Sequence, residues 1–485
     1  MVEKSLLILF IFARIVSFSQ FFPAAIGGDS ISYRIPPNTD LTELPAIFKY
    51  FPETLFGDSL RPFFPVSFFY FSGSDNRIVF FQSIFAILCW AFFLVSLIVL
   101  LRTYDLNRYI RYTGIFLVII VTTNQQLIQF DRLIYSESLA FSSLAIYLSG
   151  LFLSLAKIKD RKNTSLLIGS RLLLLPLGTL LLTTTKTAFV VLFGINLLIL
   201  FLESKYLNKR GIFQQILVFT LTFFSVYFYN SEVYKYRSTE ISYPLTSISY
   251  YLSMDNVLVN QYITNYIKDE TVPDCAKIES PFSSGAQMFW GVEITKNCPQ
   301  VIDWAESYFT RSVLNLFISD PVRFTQNISR MFLIGQKGES TLSVYSIFPS
   351  SLSNLVLASD IKSVGIWDQY ETTWNRVPRN FNDPFFLYVF MILGSTIIVL
   401  KGRRRDNLSI TYDRLILLLS LGLLFVSLII TWLIGILVIP GPAGEIFRIA
   451  SIPNISSRII LIIILSIMVD ELLKVFKLQS SSKSL

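Results

Sequence analysis

Histidine is absent from the 485-residue chain. This absence excludes a Ser-His-Asp hydrolase, a zinc site with histidine ligands and a haem held by a proximal histidine. Any proton transfer must therefore be carried out by Asp, Glu, Lys, Tyr or Cys side chains. Cysteine is scarce as well, with three residues and no spacing typical of a metal site. No internal repeat and no glycine-rich nucleotide-binding loop is visible.

Charged residues are also few. They make up 15% of the chain, whereas 53% of the residues are hydrophobic and the mean hydropathy is +0.57. A soluble chain of this length carries more charge, so the composition indicates an integral membrane protein. The 44 Phe and 23 Tyr residues suit lipid-facing helices with aromatic belts. In such a protein the net charge of +8 reports orientation, and we expect no nucleic-acid partner.

The apolar runs predict an all-α polytopic membrane protein with ten transmembrane helices, interfacial helices and an outer soluble insertion. Each run is long enough to cross a hydrocarbon layer of about 30 Å. The first run is interpreted as a retained helix, although it also resembles a signal peptide. The runs lie near residues 5–23, 79–101, 110–124, 134–156, 165–182, 188–203, 212–230, 384–400, 413–439 and 457–474.

The distribution of Lys and Arg predicts which side each loop faces. The proposed inner segments hold twenty of these residues and the proposed short outer segments hold eight. By the positive-inside rule, both termini are cytoplasmic in a multi-pass protein of the plasma or inner membrane. The predicted regions are an N-terminal transmembrane core (1–230, with an outer first loop at 24–78), an extracytoplasmic insertion (231–383) and a C-terminal transmembrane region with a cytoplasmic tail (384–485).

The insertion is predicted to be mostly helical and to contain a disulfide. Residues Val301–Leu333 have an amphipathic helical pattern that is interrupted at Asp320-Pro321. Cys275 and Cys298 lie on the predicted oxidising side, where a bond between them is worth about 3 kcal/mol in the chain-entropy model. The alternative is two unpaired thiols.

The predicted topology places ten ionisable groups on the outer side, half of them acidic and half basic. That mixture suits a site that handles a phosphate leaving group beside a hydroxyl group that must lose a proton. The ten groups are Asp29, Arg34, Asp58, Arg61, Asp131, Arg132, Glu137, Lys186, Glu445 and Arg448.

Three acids are candidates for catalysis. Asp29, in Gly27-Gly28-Asp29-Ser30 after the first run, is placed to orient or deprotonate an acceptor hydroxyl, or to cap the following turn. Glu137 lies about one turn inside an apolar run, so it requires a basic partner or a hydrated cavity. Asp131 is the alternative second acid. Arg14, within the first run, either snorkels or pairs with a buried acid, and we assign it no role.

The bases are candidates for binding a phosphate. Lys186 follows three threonines and would act as a point charge, or would snorkel to the headgroups. Glu445 and Arg448 share a face on a helix, where Arg448 would bind phosphate bidentately or the two side chains would neutralise each other. The same binding role is assigned to Arg34, Arg61 and Arg132.

The order of these motifs resembles the GT-C superfamily of membrane glycosyltransferases, and most closely its bacterial branch of protein mannosyltransferases and lipopolysaccharide galacturonosyltransferases. The matching segments are Gly28-Asp29-Ser30, Arg61-Pro62, Tyr135-Ser136-Glu137-Ser138-Leu139, Asp320-Pro321-Val322-Arg323-Phe324 and Glu445-x-x-Arg448. The resemblance implies a GT-C-like bundle and inverting transfer of a sugar from a polyprenyl phosphate to a glycan, lipid or protein acceptor. Asp29 matches the catalytic carboxylate, and Mg²⁺, Mn²⁺ or no metal are all compatible. Phe447-Arg448 departs from the frequent Arg-Tyr pair.

Other functions remain open. A cell-surface polysaccharide polymerase or ligase would also use outer arginines and a large outer loop, but has no obvious use for the early Gly-Asp-Ser. A lipid or glycan transporter is expected to have internal symmetry or charges near the centres of several spans. A structural membrane component without catalysis is a further alternative.

Overall fold

A computed structural model describes the chain in the following segments: residues 2–20, 25–26, 64–65, 68, 72, 75–123, 127, 131, 136–159, 166–185, 187–204, 213, 216–217, 219–224, 227, 256–277, 298–326, 356–357, 393–394, 408–438 and 443–482. The α-helices delimited there are α1 (Val2–Gln20), α2 (Asp75–Thr103), α3 (Arg108–Thr122), α4 (Ser136–Lys159), α5 (Leu166–Thr185), α6 (Leu192–Ser204), α7 (Asn256–Lys268), α8 (Val301–Ser319), α9 (Leu408–Val438) and α10 (Ala443–Ser482). Two short 3-10 helices, Thr187–Val191 and Asp274–Ala276, and two strands of two residues, β1 (Ala25–Ile26) and β2 (Val356–Leu357), complete the set.

The predicted helical class is confirmed for the described segments, apart from the short pairing of β1 with β2. Among the described residues, three helical stretches are long and apolar enough to cross a membrane: Arg77–Thr103, Ser138–Ala156 and Arg414–Thr431. Leu173–Thr185 and Phe189–Ile199 are shorter apolar helices. The ten crossings, the GT-C arrangement and the orientation of the termini stay predictions.

Helix α2 illustrates why these segments are helical and where they lie. It is apolar around its whole circumference, a pattern typical of a helix surrounded by other helices and by lipid. Trp90, Phe93 and Leu97 are buried, whereas Leu88 is 63% exposed. A large apolar side chain exposed in this way suits contact with acyl chains.

Helices α2, α4 and α5 form the centre of the bundle. The Phe93 ring of α2 lies 5.5 Å from that of Phe152 in α4. Helices α4 and α5 approach so closely that a Cβ atom on Gly150 would lie 2.7 Å from the Cα atom of Leu175. Small residues permit such close contact between membrane helices, where dispersion forces drive the association.

One end of the bundle, which we call the Glu3 end, is joined by ion pairs. Glu3 of α1 forms ion pairs with Arg102 of α2 and with Arg111 of α3, the latter at 2.8 Å. Burial alone raises the pKa of Glu3, but the two guanidinium groups outweigh it and lower the pKa below its usual value. The start of α1, the end of α2 and the start of α3 therefore meet here.

Helices α9 and α10 join the same end. Arg414 of α9 forms ion pairs with Asp470, at 3.2 Å, and with Glu471. The Asp470 carboxylate also accepts a hydrogen bond of 2.8 Å from the backbone N–H of Asn107, in the turn between α2 and α3. Asp470 and Arg414 are both buried, and each has a second partner: Lys474 lies 2.7 Å from Asp470, and Glu471 also pairs with Arg414.

The predicted outer insertion contains α7 and α8, which a disulfide holds together. The two cysteines predicted to pair, Cys275 and Cys298, are bonded, with their Cα atoms 5.6 Å apart. Trp304 of α8 packs edge-on against Tyr266 of α7, with ring centroids 5.2 Å apart, and donates a hydrogen bond to Thr271. These contacts pack α7 against α8 beside the disulfide.

Two further features connect the insertion with its surroundings. Helix α8 ends at Ser319, where the sequence predicts an interruption, and the Asp320 carboxylate then caps residues 321–326 by accepting from the backbone N–H of Arg323. Strand β1 pairs in parallel with β2. This pairing joins the stretch after α1 to the insertion.

Candidate functional site

Asp131 is held deep between the first two helices of the bundle. Its carboxylate accepts a hydrogen bond of 2.5 Å from Nη1 of Arg14, which lies 117 residues earlier in the chain. Its backbone carbonyl accepts from the Gln82 amide at 3.0 Å and from the Ser83 hydroxyl at 3.3 Å. Polar groups of α2 therefore fix the backbone of Asp131 while α1 supplies the counter-ion.

Both members of this ion pair are buried, Arg14 at 2% and Asp131 at 6% exposure. Removing either partner of such a pair leaves an isolated buried charge, which costs about 3–5 kcal/mol. Arg14 also lies over the Phe10 ring, with its Cζ atom 5.9 Å from the ring centroid. Of the two possibilities given for Arg14 from the sequence, snorkelling or pairing with a buried acid, the structure has the second.

Burial raises the pKa of Asp131 to about 6, against the opposing effect of Arg14. Enclosure by the protein and the charge of Arg14 thus act on the pKa of this carboxylate in opposite directions. Asp131 is thus a buried acid whose protonation state depends on its enclosure.

The start of α4 lies at the same end of the bundle as Asp131, which we call the Asp131 end. Helices α2 and α4 run in the same direction, because Phe93 contacts Phe152 and the Tyr104 hydroxyl donates to the carbonyl of Leu155. The first turn of α4 is consequently level with the start of α2 and its Gln82. Glu137 belongs to that first turn, where the structure describes the backbone but not the side chain.

Helix α5 reaches the Asp131 end from the opposite direction. It is antiparallel to α4, since Gly150 meets Leu175 and Gly178 meets Tyr147. Helix α5 therefore ends beside the start of α4, with Thr185 donating a 2.5 Å hydrogen bond to Leu181. Lys186 is the next residue in the chain but lies outside the described residues.

Helix α10 starts at the Asp131 end as well. It is antiparallel to α3, because Gly114 meets Ser466 while Asn107 meets Asp470. Its earlier residues consequently lie away from the Glu3 end. Glu445 and Arg448 fall in the first turns of this helix, where again only the backbone is described.

The remaining predicted site residues lie outside the described part of the chain. The described residue nearest in sequence to the predicted catalytic acid Asp29 is Ile26, the last residue of strand β1, three positions earlier. The residues concerned are Asp29, Arg34, Asp58, Arg61 and Arg132.

Three residues of this site were not assigned a role from the sequence. Arg14 was left without one, and Gln82 and Ser83 were not singled out. The available signal was their polarity within apolar runs, since a polar residue inside a membrane helix is a functional candidate. A hydrogen bond to the backbone carbonyl of Asp131 leaves no trace in sequence pattern.

Within the described segments, no group of three or more Cys, Asp or Glu residues is arranged to hold a metal ion. Comparison of the chain with protein-family models, with curated proteins and with solved structures gives no significant match.

Proposed function

We propose that the protein is a membrane glycosyltransferase that transfers a sugar from a polyprenyl-phosphate donor to a glycan, lipid or protein acceptor, with inversion, on the extracytoplasmic face. One observation supports this most directly: the Asp131 end gathers the helix ends that carry or adjoin the predicted acids and bases. These are the starts of α4 and α10 and the end of α5, together with the buried pair of Arg14 and Asp131. Convergence of groups distant in sequence is what such a site requires.

The chemistry assigns separate tasks to bases and acids. The donor keeps its tail in the bilayer and presents its phosphate to Lys186 and Arg448, which stabilise the negative charge of the leaving group. Asp29 accepts the proton of the acceptor hydroxyl as its oxygen attacks the anomeric carbon. The bond between that carbon and the phosphate oxygen breaks on the opposite face, which inverts the configuration.

Asp131 is assigned a positioning role within this proposal. Its carboxylate is already engaged by Arg14 at 2.5 Å and is enclosed by protein. An acid held in this way is poorly placed to receive a proton from an external hydroxyl group. Glu137, at the start of α4, is therefore the second acid that we assign to the acceptor side.

The test is a transfer assay with purified full-length protein, labelled polyprenyl-phosphate sugars and a panel of glycan, lipid and protein acceptors. We expect a new glycosidic product, and we expect Asp29→Asn to abolish it while expression and membrane insertion stay normal. Asp303→Asn is a matched control, because this acid is exposed on α8 and carries no assigned role. Full activity of the Asp29→Asn protein would remove the proposed role of Asp29.

A lipid or glycan transporter is the second candidate, and one observation favours it. Arg14 and Arg458 are both buried within helices, at 2% and 1% exposure. Charges inside spans are a feature of transport pathways. In proteoliposomes, movement of the labelled donor across the bilayer without any new glycosidic bond would support the transporter; products of many sugar units would support the polymerase.

A further inference from the structure

The guanidinium group of Arg14 has hydrogen-bond donors that Asp131 does not use. Only Nη1 donates to the carboxylate, and only to the single oxygen Oδ2. Nε and Nη2 are buried, and neither has a hydrogen-bond partner among the described residues. Buried donors are nearly always satisfied in folded proteins, so these two require an explanation.

The geometry of the guanidinium group identifies what those donors suit. The N–H bonds of Nε and Nη2 point in the same direction from one edge of the planar group. This edge binds two oxygens of a carboxylate or a phosphate in parallel hydrogen bonds. A guanidinium group that served only to neutralise Asp131 would gain more by offering such a two-donor edge to both carboxylate oxygens.

The remaining contacts hold Arg14 in this orientation. Nη1 is fixed by Asp131, whose backbone is itself held by Gln82 and Ser83, and the Phe10 ring lies against the guanidinium group. The two-donor edge is thus orientated before any ligand arrives. Preorganised donors of this kind are characteristic of oxyanion sites.

A second unsatisfied polar atom lies at the same end of the bundle. The Ser138 hydroxyl in the first turn of α4 is fully buried and has no hydrogen-bond partner among the described residues. The parallel course of α2 and α4 puts this turn level with Gln82. A hydroxyl group can donate a hydrogen bond to a phosphate oxygen.

We propose that the Nε–Nη2 edge of Arg14 binds an oxyanion of the phosphate class, with Asp131 as the residue that positions it. The site itself stands independently of sugar transfer. Its identification with the phosphate of the lipid-linked donor rests on the proposed function. In that case Arg14 binds the donor from within the bundle, and the helix-end bases approach it from outside.

The experiment measures the binding of phosphate-bearing probes in the absence of an acceptor, using purified full-length protein in a non-ionic detergent. The probes are a short-chain polyprenyl monophosphate, the corresponding polyprenol and inorganic phosphate, each titrated by calorimetry. We expect the monophosphate to bind at least about tenfold more tightly than the alcohol, because charge-assisted hydrogen bonds are lost with the phosphate. Competition by inorganic phosphate at similar affinity would assign the site to free phosphate; weak competition would assign it to a lipid headgroup.

The variants separate binding from folding. Arg14→Lys keeps the charge but removes the two-donor edge, and we expect about tenfold weaker binding. The double variant Arg14→Gln, Asp131→Asn leaves no unpaired buried charge. It is used to measure phosphate binding without Arg14 if the single variant Arg14→Gln does not fold. Arg108→Gln is the control: it removes one positive charge from an exposed side chain of α3 and is expected to leave affinity unchanged.

The positioning role of Asp131 has its own readout. Asp131→Glu keeps an acceptor for Nη1, whereas Asp131→Ala removes it, so Asp131→Glu is expected to retain more affinity when both variants are equally stable. Equal affinity in these two variants would overturn the positioning role.

Two results would overturn the site. One is equal affinity for monophosphate and alcohol with no binding of inorganic phosphate. The other is unchanged phosphate affinity in a folded Arg14→Gln, Asp131→Asn protein. Phosphate binding by the wild-type protein without transfer to any acceptor would leave the site in place and count against the proposed function. Full sugar transfer by the double variant would support the proposed function and count against the site.

Discussion

The contact between α4 and α5 gives a sharp prediction about a single methyl group. A Cβ atom added at Gly178 would lie 2.5 Å from both the Cα and N atoms of Tyr147. Ordinary van der Waals contact begins at 3.4 Å, so the two backbones must separate by the difference of 3.4 and 2.5, which is 0.9 Å. Backbone atoms cannot rotate away, and the movement has to be taken up by the whole helix pair.

The chain supplies a matched control in Gly194 of α6, where an added Cβ atom has nothing within 4 Å. Both substitutions replace a helical glycine by alanine, which favours the helix by up to about 1 kcal/mol. Only Gly178→Ala adds the cost of overpacking, typically about 1–3 kcal/mol. The difference in stability between the two variants therefore isolates the steric effect.

The assay is reversible unfolding of the purified protein in mixed micelles of increasing denaturing detergent, followed by far-UV circular dichroism. We expect Gly178→Ala to be less stable than Gly194→Ala by about 1–3 kcal/mol. Equal stability of the two variants would show that α4 and α5 are not in backbone contact. It would also remove the basis for placing the end of α5 beside the start of α4.

Three further predictions concern other contacts. Gly114→Ala places a Cβ atom 2.7 Å from the Ser466 hydroxyl oxygen and is expected to destabilise the protein. Adding Ser466→Ala removes that oxygen, and a double-mutant cycle should show that most of the lost stability returns. The pKa of Glu3 is lower in the folded protein than its usual value of 4.5, so ionised Glu3 stabilises the fold above pH 4.5. This contribution is lost as the pH falls through the pKa of the folded state, and a Glu3→Gln protein should lose less stability than the wild type over that pH range. Reduction of the bond between Cys275 and Cys298 should lower the free energy of local unfolding around α7 and α8 by about 3 kcal/mol, and unchanged hydrogen-exchange protection there would contradict this.

Hydropathy locates apolar stretches but not the ends of helices. The predicted run 134–156 nearly coincides with α4 (Ser136–Lys159), yet the predicted run 457–474 is only part of α10, which spans Ala443–Ser482. The difference arises because the helix continues through polar residues such as Glu445, where no apolar signal marks it, and past Pro453, which lacks one backbone donor but does not end the helix. Glu445 and Arg448, which precede the predicted run, accordingly belong to the same helix as that run.

Pairing between distant residues is the part of the site that sequence could not supply. An arginine in an apolar run indicates that some acid or interface must satisfy it, and two outcomes were open for Arg14. The choice of Asp131 depends on how α1 and α2 pack, because 117 residues separate the partners. The same packing decides that Asp131 is enclosed, which is why its role could not be told apart from that of Glu137 in advance.

The ion pairs at the Glu3 end have a consequence for biosynthesis. Arg414 and the backbone amide of Asn107 both bind Asp470, which follows Asn107 by 363 residues. During translation neither interaction with Asp470 can form until the ribosome has synthesised that residue. The Glu3 end therefore cannot close completely until nearly the whole chain has been synthesised, long after α1, α2 and α3 have left the ribosome.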